Sequence, residues 1–331
     1  MKIRVCYTVA IMAFLLTLTA VAGATDSGSI TNETIAFVRK GNIWIARVDG
    51  SSEHQLTNSG TCRNPSLSPD GKQVAFYQSS EKDIYPDTGF GQIYLVDTRG
   101  GKPQRIRFDG ILAAEDPSFS LDGKSLLFAG LSELRKVGKH DNLQVFATMS
   151  VNLGVIRTGK SKPLLQHKNT MLDAGYLYAN PLFSLDGKLV LWQQSGSDVS
   201  GGFEIFDLKG KRLFRYPSKK EDSTPYWGAS LASDGQTVLC YSPATSEESE
   251  DKIYLINRRT EKKVTVTIGS NPVFVRNGKA IVFEQWENRW RDIASSNLWV
   301  LELKPGAVPK RIITDASEPA GALMTKQVHR K

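Results

Sequence analysis

Asn, Asp, Glu and Trp side chains recur along this chain at intervals of roughly 45 to 65 residues, at positions where they could hold a ligand. The recurring residues are Asn64, Asp116, Asn180, Trp227, Asn271 and Glu318. Two carboxyl groups on opposite sides of a cleft can carry out glycoside hydrolysis, and Glu115, Asp116 and Glu318 could supply them. Asn and Asp also cap turns through local hydrogen bonds. The residue types leave both roles open.

A second candidate site is the segment Glu284–Asn297, with the sequence E-Q-W-E-N-R-W-R-D-I-A-S-S-N. Trp286, Arg289 and Trp290 lie close together in it, and Trp and Arg are enriched at binding hot spots. Alternatively, one of these Trp side chains packs on a neighbouring part of the fold. We interpret the three residues as candidate partner-binding residues.

Metal and cofactor chemistry has little sequence support. The four histidines are His54, His140, His167 and His329, and no two of them have the close spacing of a metal-ligand pair. The acidic run Ser246–Asp251 could hold calcium, but consecutive acids do not supply an ordered coordination shell. We interpret the run as a solvated loop, and we expect no metal, no cofactor and no catalytic residue.

Most of the candidate residues open a repeated sequence element. N-P-S-L-S-P-D-G-K-Q-V-A-F-Y at Asn64–Tyr77 returns as variants at Asp116–Phe128, Asn180–Trp192, Gly228–Cys240 and Asn271–Phe283. In each copy a short apolar run, D-G or N-G, and a second apolar run predict a β-hairpin closed by a tight turn. A second hairpin follows in most copies. Each repeat therefore predicts about four antiparallel strands.

This repeat length is typical of a β-propeller, whose blades are four-stranded sheets. Thr34–Gly50, near the start of the chain, has the pattern of the later strands of a repeat. The first strand of that repeat is missing before it. Ser317–Leu323 resembles the missing strand and could pair with this first blade. Such closure removes exposed strand edges. We predict an all-β, six-bladed propeller of four-stranded antiparallel blades, made of five complete repeats and one composite blade.

The segments S-P-D-G-K-Q-V-A-F (Ser68–Phe76) and I-Y-L-V-D-T-R-G-G (Ile93–Gly101) closely resemble the TolB-like propeller repeat. This repeat also occurs in the propeller domains of prolyl oligopeptidase-type peptidases. The resemblance implies a propeller over Thr34–Leu323 and, by analogy with TolB, a protein or peptide partner in the cell envelope. The chain departs from TolB because we expect no α/β domain ahead of the propeller. It departs from the peptidases because we expect no hydrolase domain and the sequence has no G-x-S-x-G motif.

The first 24 residues have the composition of a secretory signal peptide. Lys2 and Arg4 precede an apolar segment, and A-G-A ends at Ala24. A retained membrane anchor is the alternative, although the apolar segment is short for a spanning helix. We predict a signal peptide over 1–24, a linker over 25–33, the propeller over 34–324 and a tail over 325–331. The protein would then be periplasmic or secreted, with no membrane span after cleavage.

The charge distribution and the cysteine positions argue against a nucleic-acid partner and against a disulfide. The formal net charge is +8, and the basic residues are scattered instead of forming a stripe interleaved with aromatic residues. This argues against a nucleic-acid partner. Cys62 and Cys240 belong to different repeats, and bridged Cα atoms must lie within roughly 7 Å of each other. We therefore expect no disulfide between them.

Together these patterns favour an exported, non-catalytic binding module that engages an envelope protein or peptide through loops on one rim. The alternative is a glycan-binding propeller or a polysaccharide-degrading propeller enzyme, either a lyase or a glycosidase. Trp192, Trp227, Trp286 and Trp290 could be sugar-stacking platforms. Glycan binding requires that several of these rings line one open channel, and it fails if they are buried between blades.

Overall fold

The computed structural model describes 33–79, 91–138, 144–171, 177–196, 199–217, 224–246, 249–287 and 295–321. These residues form six four-stranded antiparallel sheets and one 3-10 turn at Arg276–Gly278. The predicted all-β, six-bladed propeller is confirmed. Within the same ranges, no helix is both long enough and apolar enough to cross a membrane.

Each blade has four strands, which follow one another along the chain in blades 2 to 6, whereas blade 1 takes its innermost strand from the end of the chain. Blades 1 to 3 use β1 (Thr34–Arg39), β2 (Asn42–Arg47), β3 (His54–Gln55), β4 (Cys62–Leu67), β5 (Gln73–Gln78), β6 (Gln92–Asp97), β7 (Gln104–Arg105), β8 (Ala113–Phe119), β9 (Ser125–Val137), β10 (Gln144–Val155) and β11 (Ser161–Met171). Blades 4 to 6 use β12 (Leu177–Phe183), β13 (Leu189–Gly196), β14 (Val199–Asp207), β15 (Arg212–Tyr216), β16 (Trp227–Leu231), β17 (Thr237–Ser242), β18 (Lys252–Asn257), β19 (Lys263–Ile268), β20 (Ser270–Val275), β21 (Ala280–Glu287), β22 (Ser295–Glu302) and β23 (Lys310–Ile313). The inner strand of blade 1 is β24 (Ser317–Gly321).

The repeated S-x-D-G sequence forms the turn between the first and second strands of a blade. In blade 2, Ser68 Oγ donates to Asp70 Oδ1 at 2.8 Å, and the Gln73 amide donates to Ser68 Oγ at 2.9 Å. Gly71 has a φ of +69°, a left-handed conformation that glycine adopts without steric cost. The same bonds recur in blades 3 and 4, so the motif owes its repetition to turn geometry.

The C-terminal strand closes the ring as the sequence predicted. β24 pairs with β1 in antiparallel register, with Ala320 opposite Ala36, and the sheet order is β24-β1-β2-β3. Blade 1 is also tied to blade 6 by polar contacts. Both carboxylate oxygens of Glu33 accept from the Arg276 amide at 2.6 and 2.8 Å, and Arg39 Nη2 donates to the Thr314 carbonyl at 2.9 Å.

The hydrophobic core lies mainly between neighbouring blades. Phe37 of blade 1, for example, is fully buried in one cluster with Val282 and Leu298 of blade 6. Cys62 and Cys240 are buried free thiols in different clusters. Aliphatic and aromatic side chains of adjacent blades therefore hold the ring together from inside.

Replacing Phe37→Ala should destabilise the joint between the first and last blades by about 3 to 5 kcal/mol, because it removes a fully buried ring and leaves a cavity. Urea denaturation followed by circular dichroism measures this loss. Val308 is 79 % exposed, so Val308→Ala should change the free energy of unfolding by less than about 0.5 kcal/mol. Equal losses in the two variants would contradict the assignment of Phe37 to the closing core.

Candidate functional site

One residue of each inner strand adopts a left-handed backbone conformation. These residues, which we call the inner ring, are Asn64 (φ +45°), Asp116 (+51°), Asn180 (+51°), Gly228 (+57°), Asn271 (+45°) and Glu318 (+51°). Asn, Asp and Gly tolerate this conformation better than other residues do. In blades 2 to 6 each lies where the register shifts between the inner strand and the next strand. The following proline, where present, has no N–H to pair, which suits such a bulge.

Four of the six backbone amides of the inner ring are held by side chains of the preceding blade. The Asn64 amide donates to Glu318 Oε2 at 2.7 Å, and the Asn180 amide donates to Asp116 Oδ2 at 2.8 Å. The Glu318 amide donates to Glu284 Oε1 at 2.7 Å. The Gly228 amide likewise donates to Gln193 Oε1 at 2.7 Å. We call these four contacts the inter-blade bonds.

Side chains of the inner ring extend the same network. Asn64 Nδ2 donates to Asp116 Oδ1, and Asn271 Nδ2 donates to Glu284 Oε1 at 2.8 Å. Arg63 Nη1 lies 3.2 Å from Glu318 Oε1. The Asn and Asp side chains therefore bond to other strands and other blades, whereas turn capping would have kept their partners local.

Four carboxyl groups, those of Glu115, Asp116, Glu284 and Glu318, lie on the inner strands or bond to them. Burial raises the pKa of each above its ordinary value. For Glu284 the value reaches about 7, because burial outweighs the hydrogen bonds from Asn271 and from the Glu318 amide. The pKa of the Tyr77 hydroxyl is also raised, first by burial and then by the nearby carboxylates.

The tryptophan side chains occupy three different environments. Trp192 is buried and stacks on Phe206, with 3.8 Å between ring centroids, so it cannot stack on a sugar. Trp227 is half-buried beside Gly201, where a Cβ would lie 3.0 Å from the indole ring. Trp286 is 40 % exposed, and its Nε1 donates to Ser270 Oγ at 3.2 Å. Ser270 precedes Asn271 of the inner ring, so Trp286 lies at the edge of this site.

Several predicted features fall partly or wholly outside the described residues. Arg289 and Trp290 lie outside them, and so do His140 and His329. Of the acidic run, Asp251 is buried and accepts from the Ala244 amide at 2.7 Å, so this residue is not part of a solvated loop. In the ranges that the structure describes, no group of three or more His, Cys, Asp or Glu residues could hold a metal ion.

Sequence reasoning missed two polar residues that carry inter-blade bonds, Gln193 and Glu284. Both follow the apolar run of a second strand, in V-L-W-Q and I-V-F-E, and Tyr77 occupies the same place in V-A-F-Y. Gln193 Nε2 also donates to the Tyr226 carbonyl at 2.8 Å. A polar residue at the end of an otherwise buried strand was the available signal, since buried polar groups are nearly always hydrogen-bonded.

The raised pKa of Glu284 links stability to pH. The folded protein holds this proton up to about pH 7, whereas the unfolded chain releases it near 4.5. The resulting stabilisation is fully present below the unfolded value and is lost as the pH rises through about 7. In the wild type, Glu284 should lower the free energy of unfolding by up to about 3 kcal/mol between pH 5 and pH 8. Glu284→Gln resembles the protonated form at every pH, so this part of the decrease should be absent in the variant.

Urea denaturation at closely spaced pH values measures this effect. Glu287→Gln is the matched control, because Glu287 lies on the same strand and is exposed. Wild-type protein and the control should share one pH dependence, and Glu284→Gln should show a shallower one. An unchanged slope in Glu284→Gln would mean that Glu284 titrates normally in the folded protein.

No protein-family model matches this chain, and no curated protein matches it by sequence. Solved structures do match it. A crystal structure of TolB from Acinetobacter baumannii has a TM-score of 0.62 and 21 % sequence identity, over 89 % of this chain and 68 % of that one.

Two further solved structures that match this chain belong to proteins of other kinds. A chain of the nidogen/laminin complex has a TM-score of 0.59 and 10 % identity, over 87 % of this chain and 98 % of that one. An oligogalacturonate lyase in complex with manganese has a TM-score of 0.51 and 14 % identity, over 82 % and 71 % respectively. At these identities the likeness concerns the fold alone. The chain thus has a six-bladed β-propeller fold of the kind found in TolB.

Proposed function

We propose that this protein is an exported, non-catalytic β-propeller that binds a protein or peptide partner in the cell envelope through the rim around the inner ring. The observation that carries the proposal is the exposed indole of Trp286 beside carboxyl groups that are already engaged in inter-blade bonds. A hydrolytic enzyme would use such carboxyl groups for acid–base chemistry. Here Asp116, Glu284 and Glu318 accept hydrogen bonds that join blades.

The rim has the features of a binding surface more than those of a catalytic cleft. Among the described residues, Trp286 is the one aromatic side chain that is more than a third exposed. Trp residues dominate the binding energy of many interfaces, because they remove a large apolar area from water and keep a polar N–H for orientation. Its indole N–H is oriented by Ser270, which lies next to the inner ring. The ring therefore presents the indole from a rigid support.

Export and envelope location belong to this proposal. They rest on the signal-peptide pattern of the first 24 residues, which lie outside the described part of the chain. The fold does not separate binding from catalysis, because similar propellers occur both in a nidogen/laminin complex and in an oligogalacturonate lyase. The proposal therefore depends on the site and not on the fold.

Crosslinking of the mature chain, residues 25–331, in the envelope fraction of its host tests the proposal. Wild-type protein should crosslink to a specific protein partner, and Trp286→Ala should reduce that yield by about tenfold or more, as expected for a hot-spot residue. Val308→Ala is the control, because Val308 is an exposed apolar residue in the turn before β23, at the outer part of blade 6.

Identical crosslinks from wild type and Trp286→Ala would exclude this rim as the partner site. Oligosaccharide binding on a glycan array that is lost in Trp286→Ala would replace the protein partner with a sugar. Turnover of an acidic polysaccharide would contradict the non-catalytic assignment.

A further inference from the structure

We propose that the outer edge of blade 5 binds an extended, acidic segment of the partner, which pairs with β19 as a fifth strand. The inference rests on the proposed function, because it assumes that a protein or peptide occupies the rim near Trp286. It adds the mode of binding, in which backbone hydrogen bonds hold the segment and its alternate side chains select it. The strand concerned, β19 (Lys263–Ile268), is the outermost strand of its sheet.

Among the described outer strands, β19 is the one whose edge lacks the usual protection against pairing with another strand. Native edge strands are protected by short length, proline or charged side chains. The outer strands β3 and β7 have two residues each, β11 contains Pro163, and β15 and β23 each carry two basic residues. β19 has six residues, and after Lys263 it continues as V-T-V-T-I, an uncharged β-branched run. Such a run suits pairing with an added strand.

The backbone of β19 offers hydrogen bonds on its free side. The Asn257 amide donates to the Lys262 carbonyl at 2.9 Å, so this carbonyl faces β18. The register between β18 and β19 is continuous from Lys263 to Thr265. Successive residues of an antiparallel strand direct their N–H and C=O groups to opposite sides, so those of Lys263 and Thr265 face away from β18. These two residues can form ladder bonds with a fifth strand.

An apolar groove lies beside this edge, between the outer parts of blades 5 and 6. It encloses about 500 Å³, including space open to solvent, and Val264 and Val266 of β19 line one wall. The other wall includes Leu301, Leu303 and Ala307 of blade 6. Alternate side chains of a strand lie on one face of its sheet, so every second side chain of an added strand would lie against the groove. The groove therefore selects a segment with apolar residues at every second position.

Charge complementarity indicates an acidic partner segment. Exposed lysines lie at both the edge and the groove, since Lys262 precedes β19, Lys304 lines the groove and Lys310 follows a lining residue. The nearby acids, Glu261 and Glu302, are fewer, and Glu302 already forms ion pairs with Lys304 and with an arginine of blade 6. A second copy of this chain would bring the same lysines to the contact, whereas an acidic segment would bring carboxylates to them.

The free edge of β19 continues into the rim that carries Trp286. Gln285 Nε2 donates at 3.0 Å to the carbonyl of Ile268, the last residue of β19. Gln285 precedes Trp286 on β21, and Trp286 Nε1 donates to Ser270 Oγ, two residues after the end of β19. A partner segment bound at Trp286 can therefore extend along β19.

Labelled peptides test the inference with the mature chain, residues 25–331. The probe is a fluorescein-labelled, amidated peptide of sequence E-V-T-V-T-V-E, and K-V-T-V-T-V-K is the matched probe of opposite charge. Fluorescence anisotropy should show that the lysine peptide binds about tenfold more weakly, because it meets like charges. Two further copies of the glutamate peptide are N-methylated, one at its valines and the other at its threonines. One of them alone should lose binding, because a single edge of the added strand faces β19.

Two charge-reversal variants of the protein locate the contact. Lys262→Glu should weaken binding of the glutamate peptide several-fold and should lower the yield of the Trp286-dependent crosslink. Lys102→Glu should change neither, because Lys102 is an exposed lysine in the corresponding turn of blade 2, between β6 and β7. In hydrogen exchange followed by NMR, the amides of Lys263 and Thr265 should exchange several-fold more slowly when the peptide is bound.

Equal binding of the glutamate and lysine peptides would remove charge recognition, and equal binding of the two N-methylated peptides would exclude strand addition. A dimer in analytical ultracentrifugation that protects the Lys263 and Thr265 amides would replace the partner segment with a second copy of the chain. Absence of peptide binding while the Trp286-dependent crosslink persists would refute this inference alone and leave the proposed function in place. Peptide binding at β19 without a Trp286-dependent crosslink would instead refute the proposed rim.

Discussion

The structure depends on one recurring interaction, a left-handed backbone amide at the start of an inner strand held by a side-chain oxygen of the blade before it. Four inner-ring residues make this contact, at Asn64, Asn180, Gly228 and Glu318. The left-handed conformation turns the amide out of its own sheet, so the amide needs an acceptor from elsewhere. The preceding blade supplies it, and the direction of the bonds is the same in each of these cases.

In this arrangement the carboxyl groups of Asp116, Glu284 and Glu318 have a structural role, because each accepts a hydrogen bond that joins two blades. An acid that accepts a backbone amide in a buried place cannot be removed without loosening two blades. It still carries a charge or a proton, and it lies on an inner strand or next to one. Binding at the inner ring therefore acts on the same groups that join the blades, so ligand affinity and ring rigidity are expected to change together.

The fold could be predicted from sequence because its signals are local and repeated. The S-x-D-G turn depends on bonds within six residues, as between Ser68 and Gln73, and blades 2, 3 and 4 each display it separately. Closure by Ser317–Gly321 was also predictable, because the missing strand of blade 1 had to come from another part of the chain.

The site was harder to predict because its bonds join residues far apart in sequence. The positions Asn64, Asp116 and Glu318 were found, since they recur with the repeat, but their partners were not. Glu284 lies 34 residues from the amide it holds, and a single polar residue in an apolar strand does not reveal its partner. Burial of Trp192 was equally hidden, since an aromatic residue fits both a core position and a sugar site.

The C-terminal position of β24 has a consequence for the order in which the protein is synthesised and folds. The inner strand of blade 1 is the last described strand to be synthesised, and it pairs with the first, Ile35 opposite Gly321. Until β24 has been synthesised, blade 1 therefore lacks its innermost strand and exposes the edge of β1. Bringing together two strands from opposite ends of a chain carries a large loop-closure entropy. Ring closure therefore has to wait for the synthesis of β24, and until then the edge of β1 is open to pairing with other strands.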